Sequence, residues 1–169
     1  VQWLRNYQDK QIRLLKNFLE LPRETRDKIK KGERVQGGFS HWKRFADNTD
    51  ALVYMTLVEA KVKNADMLEF LFRDRNELSV TAKTMLGLAL LRQNRKDKLD
   101  VVMGNISQYV VKDKENQTAH LDFPNQGFWW RWYADDVVAM AYYLKLLAAK
   151  DPKSSTTAML AKYLVNNRK

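Results

Sequence analysis

The stretch ADNTDALVYMTLVEA, residues 46–60, decides the fold class of this chain. Its first half offers Asn48, Thr49 and Asp50 as possible N-caps of a helix. Nearly every position from 51 to 60 is apolar, so no face of such a helix is reserved for water. Because a helix that is apolar on all sides is a buried helix, the stretch predicts a helix that other elements surround.

Apolar residues recur at helical spacing along most of the rest of the chain. The pattern predicts a first helix over about residues 1–20, ended by Pro22, and an amphipathic helix over about residues 99–110. It gives about seven helices, no set of strands, and a long connection over residues 113–134. An all-α fold follows. The predicted starts or N-caps of the further helices are Asn64, Ser79, Asp135 or Asp136, and Ser154 or Ser155.

An internal echo appears when the chain is shifted by 89 residues. Each copy has Gly-Phe, an aromatic segment, an acidic cap and then an apolar helix. The offset equals two helix pairs of about 45 residues, and stacked helix pairs build solenoids or closed toroids. We therefore expect a toroid-like stack of antiparallel helix pairs over residues 1–169, as a single helical domain and an incomplete ring. The identical pairs are Gly38 and Gly127, Phe39 and Phe128, Asp47 and Asp136, Tyr54 and Tyr143, Leu57 and Leu146, Ala60 and Ala149, and Lys61 and Lys150.

The segment QGFWWRWYADD, residues 126–136, concentrates aromatic rings just before a predicted helix. Rings at such a position suit packing at the rim of a helical ring. Three tryptophans cannot all pack inward, so at least one is expected to face a groove or a neighbouring domain. The predicted aromatic rim or interface comprises Trp129, Trp130, Trp132, His41 and Trp42.

The formal net charge of +10 is concentrated near the start of the chain, where residues 1–45 carry +7. A basic stretch can bind nucleic acid or an anionic surface. In residues 23–34, however, acidic residues interrupt the basic ones and no aromatic ring is present to stack on bases. We interpret this stretch as a solvated connector, and we predict no nucleic-acid partner. No apolar run approaches the ~18 residues of a membrane span.

The sequence contains no recognisable catalytic motif. The chain has no cysteine, which excludes disulfides, thiolate metal sites and cysteine nucleophiles. Its two histidines, His41 and His120, are too far apart in sequence to indicate a metal site. Asp135 and Asp136 are better explained as helix caps than as the start of a magnesium motif. We predict no enzyme activity, no cofactor, no metal and no catalytic residue in this chain.

Several stretches resemble the thioester-containing domain of bacterial alpha-2-macroglobulins. The most specific part is WWRWYADDVVAMAYYLKLLAAKDPKS, residues 129–154, followed by LAKYLVNNRK, residues 160–169. The other stretches are ADNTDALVYMTLVEA (46–60), FLFRDRNELSVTAKTMLGLAL (70–90) and DKENQTAHL (113–121). The resemblance implies part of a secreted or periplasmic protease trap, an endopeptidase inhibitor whose thioester domain is an alpha/alpha toroid. Its partners would be the other domains of a parent protein and, through that protein, target proteases.

The chain departs from the family at the reactive centre, a Cys-x-Glu-Gln motif, because it has no cysteine. No thioester residue can be carried over, and the motif is expected to lie before Val1 or to be missing from this member. The family pattern also continues past Lys169, so the chain resembles a slice of a toroid. Two alternatives stay open: a toroid enzyme of another class, prenyltransferase-like or glycan-processing, and a basic helical domain that binds nucleic acid.

Overall fold

The fold is mostly helical, as the apolar spacing predicts. A computed structural model describes residues 1–33, 35, 41–123 and 136–167. These residues form eight helices and one two-stranded antiparallel sheet, in two compact units. Unit 1 (Val1–Leu78) contains α1 (Gln2–Glu20), α2 (Arg23–Lys30), α3 (Asn48–Glu59) and α4 (Ala65–Arg73). Unit 2 (Ser79–Lys169) contains α5 (Val80–Arg92), α6 (Lys96–Ser107), β1 (Val110–Asp113), β2 (Thr118–Leu121), α7 (Asp136–Lys150) and α8 (Ser155–Asn166).

In unit 1, α3 is the buried helix that its sequence predicts. Seven of its twelve residues are buried, and α1 and α4 pack against it and against each other. By contrast α1, which is amphipathic, buries four of its nineteen residues. The core of the unit is mostly apolar. Its largest completely buried side chains are Leu15, Tyr54, Leu57, Met67 and Leu71.

In unit 2, α5 is the most buried helix, and it contacts α7. Nine of the thirteen residues of α5 are buried, and α7 buries five of the fourteen residues from 137 to 150, whereas α6 buries three of twelve and α8 two of twelve. In the chain α6 follows α5 and α8 follows α7, and each packs on the helix before it. The contact of α5 with α7 is close at Gly87, where an added Cβ would lie 2.6 Å from Leu146 Cδ2.

Most predicted helix starts are confirmed. The side chains of Asn64 and Ser79 cap α4 and α5, and α8 begins at Ser155. The prediction of Asn48, Thr49 or Asp50 as the cap of α3 is wrong, because Asp47 holds that position. Its carboxylate accepts hydrogen bonds from two backbone N–H groups of the first turn, at 2.9 and 3.1 Å. The predicted cap Asp135 of α7 lies outside the described residues.

A small hairpin replaces part of the predicted irregular connection. The helix expected to run to Val110 ends at Ser107, and β1 then pairs with β2 in the register Val110 with Leu121 and Asp113 with Thr118. β-branched residues and a side-chain turn explain the change. Asn116 N donates to Asp113 Oδ1 at 3.0 Å and fixes the turn between the strands.

The basic connector is helical in its first part. Residues 23–30 form α2, in which no residue is buried, and oppositely charged side chains pair along the exposed surface. Lys28 lies 2.8 Å from Glu24 and Lys30 lies 3.0 Å from Asp27. The acidic residues that interrupt the basic run therefore act as its partners. The prediction of a single domain over residues 1–169 stays a prediction.

Candidate functional site

The segment of residues 41–47, here called the α3 lead-in, carries two of the predicted rim residues. His41 is exposed, and its carbonyl oxygen accepts a hydrogen bond from Asn17 Nδ2 of α1 at 2.8 Å. Trp42 is half-buried, and its ring packs on Phe18 with 5.7 Å between ring centroids. The two residues thus lie beside α1, with the tryptophan seated on the core and the histidine facing solvent.

Lys43, the next residue, is the centre of a polar cluster in unit 1. Its Nζ lies 2.6 Å from a carboxylate oxygen of Asp50, 2.6 Å from one of Asp47 and 3.1 Å from Gln11 Oε1. Three acceptors therefore surround an ammonium group that has three protons to donate. An ammonium group held in this way is a fixed positive charge beside two carboxylates.

Asp50 is the buried member of this cluster. Its side chain has 0% exposure, and its Oδ2 accepts from both Lys43 Nζ and Asp47 N, the latter at 2.9 Å. Its other oxygen, Oδ1, is buried without a hydrogen-bond partner among the described residues. Burial therefore raises the pKa of Asp50, although Lys43 acts in the opposite direction.

Tyr7 of α1 experiences the same carboxylates. Burial, followed by the negative charges of Asp50 and Asp47, raises the pKa of its phenol to about 12. The hydroxyl is therefore held in its neutral form. A base for proton abstraction would need a pKa close to the operating pH, which this group does not have.

A second carboxylate fastens the far end of the α3 lead-in. Asp74 is buried and accepts a hydrogen bond from Ala46 N at 2.8 Å. Arg73 pairs with Asp74 through two nitrogens, at 2.6 and 2.7 Å, and also donates to the carbonyl oxygen of Arg44 at 3.3 Å. Lys43 N bonds Leu14 O of α1 at 2.9 Å. The lead-in is thus held by α1, by α3 and by the end of α4.

The sequence pattern contained a partial signal for this cluster. Asp47 and Asp50 are spaced as a capping box, and the structure forms that box in full. Lys43 lies four residues before Asp47, but nothing in the sequence connects it with Gln11 or the lead-in with Asp74. Those contacts join segments about thirty residues apart, which only packing brings together.

In unit 2, the second histidine belongs to the hairpin. The ring of His120 stacks on Tyr163 of α8, with 5.1 Å between centroids and 21° between planes. This contact holds β2 against α8. No group of three or more His, Asp or Glu side chains that could hold a metal ion occurs among the residues that the structure describes.

The remaining rim residues, Trp129, Trp130 and Trp132, lie outside the described ranges, so the aromatic rim stays a prediction. No helix in the described ranges is long and apolar enough to cross a membrane. No model of a known protein family, no curated protein and no solved structure matches this chain.

Proposed function

We propose that this chain is part of the helical thioester domain of an alpha-2-macroglobulin-like protein, and that it acts as a scaffold in a protease-trapping inhibitor. The proposal starts from the resemblance of residues 129–154 and 160–169 to that domain. It includes a periplasmic or extracellular location, other domains of the parent protein as immediate neighbours, and target proteases as partners of the whole.

The packing order of unit 2 is the observation that supports this proposal best. The helices α5 and α7 are alternate helices in the chain, yet they contact each other, and each carries the following amphipathic helix on it. Such an order builds an inner row and an outer row of helices. An alpha/alpha toroid consists of these two rows, and the close approach of Gly87 to Leu146 supports an inner row with little space between helices.

The echo between the two units gives further support. Asp47 caps α3, and its counterpart Asp136 begins α7. Tyr54 and Tyr143 are both buried, and each lies seven residues after the aspartate of its helix. Leu57 and Leu146 are both completely buried. An aspartate at or next to the start of an apolar helix, repeated in both units, fits a ring built from repeated helix pairs.

An inhibition assay on the full parent protein tests the proposed function. The parent protein would be mixed in excess with a serine, a cysteine or a metalloprotease. A trap encloses its target, so cleavage of a large protein substrate should fall much more than cleavage of a small peptide substrate. Serum albumin in place of the parent protein is the control. The proposal is refuted if, with every protease class, cleavage of both substrates is the same as in the albumin control. If cleavage of both substrates falls by the same factor, the parent protein is a simple active-site inhibitor instead.

A further inference from the structure

A groove in unit 2 lies between the hairpin and α8. Its volume is about 450 Å³, within the range of pockets that hold small ligands. The hairpin turn contributes two of its lining residues and one face of α8 contributes four. They are Lys114, Gln117, Ser155, Ala158, Met159 and Lys162.

The lining combines an aliphatic floor with two positive charges. Ala158 and the half-buried Met159 present the apolar surface. Lys114 and Lys162 are both exposed at its edges, and neither pairs with a carboxylate in the described part of the chain. Lys162 Nζ donates one hydrogen bond to the carbonyl oxygen of Asn116 at 2.8 Å, and the ammonium has further protons to donate.

Polar groups able to bind an amide complete the lining. Gln117 offers a side-chain amide and Ser155 a hydroxyl. Gln117 also has a φ of 52°, in the left-handed region that side chains other than glycine and asparagine rarely adopt. The turn therefore places this amide beside the groove at some conformational cost.

The neighbouring cavity differs in charge. Lys162 also borders a second space of about 500 Å³, but Asp113 lines that space as well. Hydrogen bonds from the backbone and the side chain of Asn116 hold the pKa of Asp113 below its ordinary value, so it is an anion at neutral pH. An anionic ligand is therefore favoured in the groove lined by Lys114 over the second cavity, where Asp113 would repel it.

We propose that this groove binds the free C-terminal residue of a peptide. The terminal carboxylate would accept hydrogen bonds from Lys114 and Lys162, an aliphatic side chain would lie on Ala158 and Met159, and the last peptide group would face Gln117 and Ser155. The peptide group distinguishes this ligand from a fatty acid, which has nothing to offer the amide and the hydroxyl. The inference is independent of the proposed function, because it concerns the isolated chain.

A titration of the 169-residue chain followed by NMR of the backbone amides tests the proposal. The probes are N-acetyl-leucine, its uncharged counterpart N-acetyl-leucinamide, and octanoate. The acid should shift the amide signals of Gln117, Ser155 and Ala158 in a saturable way. The uncharged probe should bind about two- to thirtyfold more weakly, because it loses two exposed ion pairs worth ~0.2–1 kcal/mol each. Octanoate should bind more weakly than N-acetyl-leucine.

Two variants supply the matched controls. Lys114→Met should weaken binding of the acid about 1.4- to fivefold. Lys112→Met removes a lysine from the same hairpin, outside the groove lining, and should leave binding unchanged. The amide spectrum of each variant shows that it is folded. The proposal is overturned if the acid and the uncharged probe bind equally, if octanoate binds more tightly, or if no groove amide shifts.

Discussion

The closeness of Gly87 to Leu146 allows the effect of the variant Gly87→Ala on the free energy of unfolding to be predicted. In the variant Gly87→Ala, the added methyl carbon would lie 2.6 Å from Leu146 Cδ2. Ordinary contact between carbon atoms is about 3.5–4.0 Å, so Leu146 must withdraw by roughly 1 Å. Leu146 is completely buried, so its side chain must make this movement inside the core. Overpacking of this kind costs about 1–3 kcal/mol.

The higher helix propensity of alanine offsets part of this overpacking cost. Gly104, a second helical glycine, allows the propensity effect to be measured without overpacking. Alanine is more favourable than glycine inside a helix by about 1 kcal/mol. A Cβ added at Gly104 of α6 meets no atom within 4 Å, so Gly104→Ala should stabilise the chain by up to about 1 kcal/mol. The free energies of unfolding of the two variants should therefore differ by the overpacking cost, about 1–3 kcal/mol, with Gly87→Ala the less stable.

A double-mutant cycle tests the cause. Leu146→Ala alone should cost about 2–5 kcal/mol, because it leaves a cavity in the core. In that background Gly87→Ala should stabilise rather than destabilise, since the methyl group then enters empty space. Urea unfolding, followed by circular dichroism, measures all four free energies. The reasoning is refuted if the two changes are additive to within about 0.5 kcal/mol, or if Gly87→Ala stabilises the parent chain as much as Gly104→Ala does.

Four further outcomes are expected. The Tyr7 phenol should titrate near pH 12 in an ultraviolet absorbance titration, and Tyr7→Phe should remove this late component. Because the pKa of Tyr7 is raised in the folded chain, its contribution to stability is present below pH ~10 and is lost as the pH rises towards 12. Lys43→Met should lower the free energy of unfolding in urea by about 3 kcal/mol at neutral pH, because it leaves the buried carboxylate of Asp50 without its cation. The loss should shrink in acid as that carboxylate takes up a proton, and a loss independent of pH would contradict this. Mass spectrometry should find no methylamine adduct on the 169-residue chain, since it has no cysteine to form a thioester. The free energies of unfolding of the alanine variants of Trp129, Trp130 and Trp132 should fall into two classes in urea. Loss of a buried ring should cost about 3–5 kcal/mol, and loss of at least one exposed ring should cost no more than about 0.5 kcal/mol. Three large losses would argue against an exposed aromatic face.

The sequence by itself determined every helix except α2, and it predicted that α3 is buried. Apolar residues at a period of 3.6 identify α1 and α5, and a run that is apolar on all sides identifies α3. Both signals are local, because a helix is formed by hydrogen bonds between residues four apart. The N-caps Asn64 and Ser79 were readable for the same reason, since a cap bonds its own first turn. The hairpin was missed because its strands are only four residues long, and the preceding apolar rows continued the helical period into β1.

Only the tertiary structure decided how the charged residues are used. Lys43 could have paired with any nearby acid, and the packing of α1 on α3 selects Asp50 and Gln11 as its partners. The same holds for Asp74, which fastens a backbone N–H twenty-eight residues earlier in the chain. The closeness of Gly87 to Leu146 depends equally on how α5 and α7 pack. These contacts join distant segments, and burial then fixes their electrostatics, because a carboxylate removed from water must find a partner or hold a proton.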